Sequence, residues 1–335
     1  MSVILDGAVA GHSDPPMLPG GHDPSRNGFN LQQLELHLAS SVDPYLRFES
    51  AIVFLGDGVE VEEAYAETMA LPANLQIKAG RFLTAFGRAN PLHLHAWHFV
   101  DQPLMVGKFM GPDGNRGMGV ELDWLAPLPW FTEVRVSATD ATDGCCARSW
   151  AADSEFVVRS PTDVLTTATL KSFVAINDDW SVLVGLSGQD GPTASPTADR
   201  SRIAGGDLYV RYRPMLDAER RSLSLQVEHA MRQRVVAGRQ VVDQAGYAHL
   251  IAQFALRWEA GWRSEWGTGV ANDPLDPTWT ALRTRHAAQV TFYPSHFARL
   301  RMQVGVDQPR WQTVPTYSAV LALETLIGQH GAHNY

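Results

Sequence analysis

The sequence predicts an all-β fold, a transmembrane antiparallel β-barrel of about sixteen strands. Three observations carry this. No apolar run is long enough for a membrane helix, hydrophobicity alternates residue by residue along many segments, and the connections between those segments alternate between short and long. Composition alone points elsewhere. The chain has 335 residues, 45% hydrophobic and 19% charged, with a mean hydropathy of −0.15. These averages resemble those of a water-soluble protein. The best apolar run, Ala51-Ile52-Val53-Phe54-Leu55, is about one third of the eighteen residues a membrane helix needs. A membrane-spanning strand, however, needs only about 9–11 residues with every second one apolar, so its average hydropathy stays low.

Period 2 is clearest in the second half. In 297–307 one parity reads Ala298, Leu300, Met302, Val304, Val306 and the other Arg299, Arg301, Gln303, Gly305, Asp307. Leu223, Leu225, Val227, His229 and Met231 alternate with Ser224, Gln226, Glu228, Arg232 and Arg234. The same pattern recurs around Leu46–Phe54, Val120–Trp124, Leu208–Tyr212 and Trp262–Trp266. At 100° per residue these charges would scatter around a helix and break any apolar stripe. Strands are therefore read at 2–9, 29–41, 44–55, 59–71, 75–83, 116–124, 129–138 and 163–176. Eight more lie at 180–188, 202–213, 220–234, 246–255, 259–268, 283–293, 297–307 and 316–327.

Short connections such as Val42-Asp43-Pro44, Leu71–Asn74, Asn177-Asp178-Asp179 and Pro294-Ser295-His296 alternate with long ones. The long ones are 10–28, 83–116, 139–161, 188–201, Val235–Gly246, 268–281 and 308–315. The hairpin Gly56-Asp57-Gly58 breaks the series. Turns at one rim and loops at the other mark a membrane barrel. A soluble two-sheet sandwich fits the alternation but gives no reason for the segregated loop lengths. Aromatics near strand ends (Tyr45, Trp124, Trp130, Trp180, Tyr212, Trp258, Tyr293, Phe297, Tyr317) read as an interfacial girdle. The whole of 1–335 is read as one barrel domain.

The net charge of −9, without a basic stripe, argues against nucleic acid. Cys145 and Cys146 are adjacent, a poor spacing for a stapled loop or a metal pair; a vicinal bridge or two thiols are both open. The charged parity supplies a predicted pore lining: Arg47, Glu49, Lys78, Glu121, Asp123, Arg135, Lys171, Arg211, Arg213, Arg232, Arg263, Arg285, Arg299 and Arg301. This lining leans basic, which favours anions unless the charges pair across strands and cancel. The segment 83–116 is the strongest functional candidate, since a structureless loop of this length is usually functional; folded inward it would narrow a channel, with Asp101, Lys108, Asp113 and Arg116 setting a local field. Within it His93, His95, His98 and Asp101 form an H-x-H-x-x-H-x-x-D run whose imidazole and carboxylate donors suit Zn²⁺ or Cu²⁺. Loop histidines need no metal, and no other cofactor is expected. A weaker histidine pair, His330 and His333, closes the chain. No enzyme is expected: Ser187 lacks a strand–elbow–helix setting, and Gly117-Met118-Gly119 has no helix after it.

The run Gly80-Arg81-Phe82-Leu83-Thr84-Ala85-Phe86-Gly87 resembles the G-[KR]-F-x-x-x-F-G run before the third loop of phosphate-selective-type outer-membrane porins of Gram-negative bacteria. Glu63-Ala64-Tyr65 on the preceding strand is similar to that family's E-A-Y, and Asp178-Asp179-Trp180 and the terminal Tyr335 also fit. The resemblance implies a sixteen-stranded, usually trimeric barrel in the outer membrane, with lipid and lipopolysaccharide around it. It also implies passive diffusion of small hydrophilic solutes or ions past an inserted loop. The lysine-rich loop and arginine ladder of phosphate selectivity are not evident, so that preference is not carried over. Met1-Ser2-Val3-Ile4-Leu5 starts directly in a strand, so the chain reads as a mature or trimmed form without a signal peptide. A metal-linked TonB-dependent receptor is disfavoured, since about 22 strands and a plug do not fit this length. The competing reading is a structural or binding barrel whose loops plug the lumen and display a surface for a partner or metal.

Overall fold

A strand with one apolar and one charged parity has two faces that cannot share a solvent, and closing the sheet separates them. The computed structural model describes residues 1–56, 58–141, 144–150, 160, 163–193, 199–236, 238–274 and 276–328. Its strands are β1 (Ser2–His12), β2 (Gly28–Ser41), β3 (Leu46–Phe54), β4 (Val59–Thr68), β5 (Leu75–Leu83) and β6 (Arg116–Leu125). Next come β7 (Phe131–Thr139), β8 (Leu165–Ala175), β9 (Trp180–Pro192), β10 (Arg200–Tyr212) and β11 (Ser222–Val236). The last are β12 (Arg239–Ala255), β13 (Trp258–Gly267), β14 (Arg283–Ser295), β15 (Ala298–Pro309) and β16 (Thr316–Gly328). Each pairs antiparallel with its neighbours in sequence, and β1 closes the ring on β16 through pairs such as Val3 with Ile327 and Ala10 with Val320. Closure leaves no strand edge. That matters in hydrocarbon, where each unpaired backbone group costs several kcal/mol.

The burial pattern is inverted relative to a soluble protein. Leu250, Trp262, Val290, Met302, Val304 and Leu321 are exposed on the outer face, whereas Gln226, Glu228, Arg232, Arg263, Arg285 and Gln303 are buried on the inner one. An outer surface of this composition is matched to lipid, and the inner one to water and ion pairs. The short turns are built from side-chain caps. Asp43 Oδ1 accepts the Tyr45 and Leu46 amides at 2.7 and 2.8 Å, and Asn177 Oδ1 accepts those of Asp179 and Trp180 at 3.0 and 2.9 Å. These Asx turns explain why Asp and Asn mark one rim. Girdle aromatics pair across strands there: Trp180 with Tyr212 at 4.9 Å, and Trp258 with Phe292 at 4.7 Å. Tyr293 departs from the girdle, because its hydroxyl lies 3.5 Å from Glu259.

One connection differs from expectation. Where a long loop is expected over Val235–Gly246, β11 instead runs to Val236 and β12 begins at Arg239. Pairs such as Arg232 with Asp243 and Arg234 with Val241 extend the ladder through it. Gln240 and Gln244 interrupt the apolar parity, so the strand continues where its hydrophobic alternation stops. Bulges interrupt the ladders of β2 and β4. Glu62 is the extra residue of one opposite Ala51 and Ile52, and Gln32 that of the other opposite Asp6 and Gly7.

Replacing an outward residue near mid-strand tests the orientation. Val304→Arg should destabilise the barrel refolded into phospholipid bilayers by about 2–4 kcal/mol in denaturant titrations. The intact barrel should migrate faster in unboiled than in boiled detergent gels; identical migration would contradict a closed membrane barrel.

Candidate functional site

The segment 84–115 between β5 and β6 is the longest connection among the described residues, and its start is set by glycines. Gly80 has φ +138°, and a Cβ there would come within 2.3 Å of the Ala64 carbonyl oxygen. Tyr65 pairs directly with Gly80, so the two short motifs are brought face to face across the β4–β5 ladder. Glu63 then accepts the Leu83 amide at 2.7 Å, and Phe82 and Phe86 are buried. Gly87 has φ +62°, and its amide donates to Ser187 Oγ at 2.9 Å. Ser187 thereby acts as a structural acceptor.

Beyond this point the segment is held by inward-facing side chains. It is not structureless: Leu94–Ala96 forms one 3₁₀ turn and α1 (Leu104–Phe109) a short helix with every residue buried. Arginines of the β13–β15 wall donate to successive alternate carbonyls. Arg299 reaches those of His95 and Trp97 at 2.7 and 2.9 Å, Arg301 those of Trp97 and Phe99 at 3.2 Å each, and Arg263 that of Asp101 at 2.9 Å. Arg285 donates to the Gln102 carbonyl at 2.6 Å. The guanidinium forks meet this row of carbonyls.

Asp101 is the centre of this anchoring. Its carboxylate accepts from Arg263 at 2.6 Å and Gln303 at 2.8 Å and lies 3.1 Å from Arg285. Burial pushes this carboxyl up, but the two guanidiniums overrule it and hold it at about 2. Lys108, also fully buried, lies 3.2 Å from Asp243 and 3.5 Å from Asp276, with its ammonium 4.0 Å above the Trp279 ring. Burial pushes the Lys108 ammonium down against the pull of those carboxylates. Asp113 lies 3.4 Å from His22, and Arg116 pairs with Glu60 and, at 3.5 Å, with Glu62.

The four candidate metal donors are not brought together, which corrects the sequence expectation. His98 Nδ1 turns to Glu259 at 3.1 Å, and Asp101 is taken up by arginine. His93 and His95 stay together, stacked 5.7 Å apart, and face Glu35, Glu62 and Glu63. The short 3₁₀ turn between them and His98 breaks the extended geometry that a common side requires. Burial disfavours charge on His93, yet Glu35, Glu62 and Glu63 raise it well above the usual histidine range. His22 is likewise disfavoured by burial but is raised to about 9, chiefly by Glu62. Among the remaining lining positions, Arg232 forks onto Asp243 at 3.0 and 2.6 Å, and Arg299 donates to Glu324 at 2.7 Å.

Across β3–β8 the wall is wetter at Arg47 and Arg135, though Glu62, Arg116 and Glu121 stay buried. Arg47 pairs with Glu49 at 2.8 Å, Lys78 with Glu121 at 3.1 Å, and Arg135 with Asp123 and Glu133 at 3.0 and 2.9 Å. The side chains of Arg47 and Arg135 keep 48% and 28% of their surface, against 2% for Arg263 and 0% for Arg301. Lys171 and Arg211 are part-exposed on β8 and β10, while Arg213 lies beyond the end of β10, donating to the Ala218 carbonyl at 3.1 Å. Cys146 is buried and its sulfur is disulfide-bonded. The side chain of Cys145, and His330, His333 and Tyr335, fall outside the described residues.

Solved structures share this architecture. The fold is that of outer-membrane β-barrels. The chain superposes on OprB of Pseudomonas putida with a TM-score of 0.66 at 12% identity, covering 97% of this chain and 93% of that one. It also matches the outer-membrane channel DcaP of Acinetobacter baumannii (0.64, 10% identity, 97% and 96%). An anion-selective porin from Comamonas acidovorans is similar as well (0.63, 11% identity, 97% and 98%). In sequence, the chain is 29% identical to an uncharacterised protein of Aquifex aeolicus, covering 94% of this chain and 73% of that one. No family model matches.

Glu35, Glu62, His22, Glu259, Gln303 and Glu324 escaped the sequence reading. Except for His22, which lies in the connection between β1 and β2, their signal was present on the inward parity of β2, β4, β13, β15 and β16, but a bulge hides it at Glu62. Removing the central anchor should release the segment. Asp101→Ala leaves two buried guanidiniums with Glu265 as their one remaining carboxylate partner among the described residues, a loss of about 3–5 kcal/mol. Limited trypsin digestion of the folded barrel should then cut after Lys108 in the variant and leave the parent intact there.

Proposed function

We propose that this protein is an outer-membrane channel for passive diffusion of small hydrophilic solutes or ions, with 84–115 folded into the lumen as its constriction. The observation that carries this reading is the unequal wetting of the inner wall. A segment that leans on β13–β15, where arginines grip its carbonyls, leaves Arg47 on β3 and Arg135 on β7 facing water. Solutes then pass along the β3–β8 side. The likeness to a porin and a channel supports the same reading, and with it a setting in lipid and lipopolysaccharide.

Selectivity follows from the pairing. Arg47, Lys78 and Arg135 on the wet side each face a carboxylate, so their fields largely cancel at distances beyond a Debye length. We infer weak selectivity, with any anion preference resting on Arg47, the most exposed of these paired cations. The closed binding barrel remains the second reading, favoured by the dryness of Arg116, Arg232, Arg263 and Arg301, which a wide aqueous pore would wet.

Planar-bilayer recording separates the two. The channel reading expects steady ohmic steps, in triplets if the assembly is the trimer implied by the family resemblance. Deleting residues 91–110 should raise the unit conductance roughly two-fold or more. Lys78→Glu with Arg135→Glu should move the reversal potential toward cations. An absence of conducting states in both parent and deletion would favour the binding barrel.

A further inference from the structure

The bulge in β4 makes consecutive residues reach one imidazole, which regular alternation forbids. His93 Nδ1 lies 3.0 Å from Glu62 Oε2, and His93 Nε2 lies 2.8 Å from Glu63 Oε2. Glu35, on β2, comes to the same place: donor atoms of Glu35, Glu62 and His93 all lie within 4.8 Å of one another. Glu35 is wholly buried, and its two oxygens differ. Oε2 faces His95 Nδ1 at 3.1 Å, whereas Oε1 has no hydrogen-bond partner among the described residues. A buried carboxylate oxygen without a donor is costly unless a cation meets it.

Local charge points the same way. Among the described residues, Glu60, Glu62 and Glu63 on β4, Glu35 on β2 and Asp113 gather five carboxylates around the guanidiniums of Arg81 and Arg116 and the imidazoles of His22, His93 and His95. We propose that Glu35, Glu62 and His93 bind a divalent transition-metal ion of the zinc class. Glu35 contributes Oε1, Glu62 a carboxylate oxygen and His93 its Nδ1. Glu63 then accepts from His93 Nε2–H and fixes the ring, the usual support for a metal-bound histidine, while His95 steadies Glu35 through Oε2. Two oxygens and one imidazole nitrogen suit zinc, with a fourth position left to water. Small rotations of the two glutamates bring the donors to the roughly 2.0–2.2 Å that such an ion needs. The site joins the segment 84–115 to two strands of the wall, and it stands whether or not the barrel conducts.

The test is zinc binding to the full chain, purified folded in detergent and stripped with chelator. Titration calorimetry with ZnCl₂ and elemental analysis after desalting should give one ion per chain, and Glu35→Gln and His93→Ala should abolish it. Glu63→Gln removes only the support and should weaken binding about 10–100-fold. His98→Ala, whose ring sits on Glu259, should bind like the parent. Heat-modifiable migration checks that each variant is folded; if His93→Ala is not, the Glu35→Gln and Glu63→Gln pair decides. No saturable zinc binding in the parent would overturn the proposal. So would equal binding by parent and Glu35→Gln, the mark of adventitious capture at exposed histidines.

Discussion

A guanidinium cannot be buried without acceptors, and among its described residues this barrel buries those of Arg116, Arg232, Arg263 and Arg301 almost completely. The desolvation of such groups is large enough that each must be met by carboxylates or carbonyls at once. Much of the interior is arranged to supply them. Arg232 takes both oxygens of Asp243, Arg263 and Arg285 share Asp101 and Glu265, and Arg301 is met by the carbonyls of Trp97 and Phe99. Many of these acceptors come from the segment between β5 and β6. The inner wall and that segment are therefore one electrostatic unit, and neither is satisfied without the other.

Closure of the sheet is what makes such an interior possible. Because β1 pairs with β16, the apolar parity faces outward all the way round and the polar parity has nowhere to go but inward. The hydrophobic effect that normally packs a core is displaced to the lipid-facing surface. What remains inside is packed by hydrogen bonds, with small apolar clusters such as Phe86, Val106, Phe109 and Tyr247 under the segment.

The strands were readable because their periodicity is a direct imprint of this two-solvent arrangement: β5 spans Leu75–Leu83, the same bounds its alternation suggests. Where a strand carries polar residues on both parities the imprint fades, as in β12 around Gln240–Gln244. The inward arginines were legible as a set, since Arg299 and Arg301 share a parity with Gln303. Their purpose was not. Nothing local in the sequence says that a lining arginine will grip a carbonyl some two hundred positions away, as Arg299 does with His95. The metal donors failed for a related reason. Spacing along 93–101 assumes an extended chain, while the structure turns at Leu94–Ala96 and recruits Glu35 and Glu62 from strands whose acids looked like ordinary lining.

The anchoring of Asp101 also fixes an order of events. Its partners, Arg263, Arg285 and Gln303, all belong to the final third of the chain, so the segment cannot be seated while only the first six strands exist. Contacts of such long sequence separation form late and slowly. Until β13–β15 arrive, a stretch containing Phe99, Leu104 and Phe109, all destined for burial, must be kept from wandering or aggregating. Assembly of this barrel therefore has a built-in late step, in which β13–β15 are in place before the segment 84–115 is seated on them.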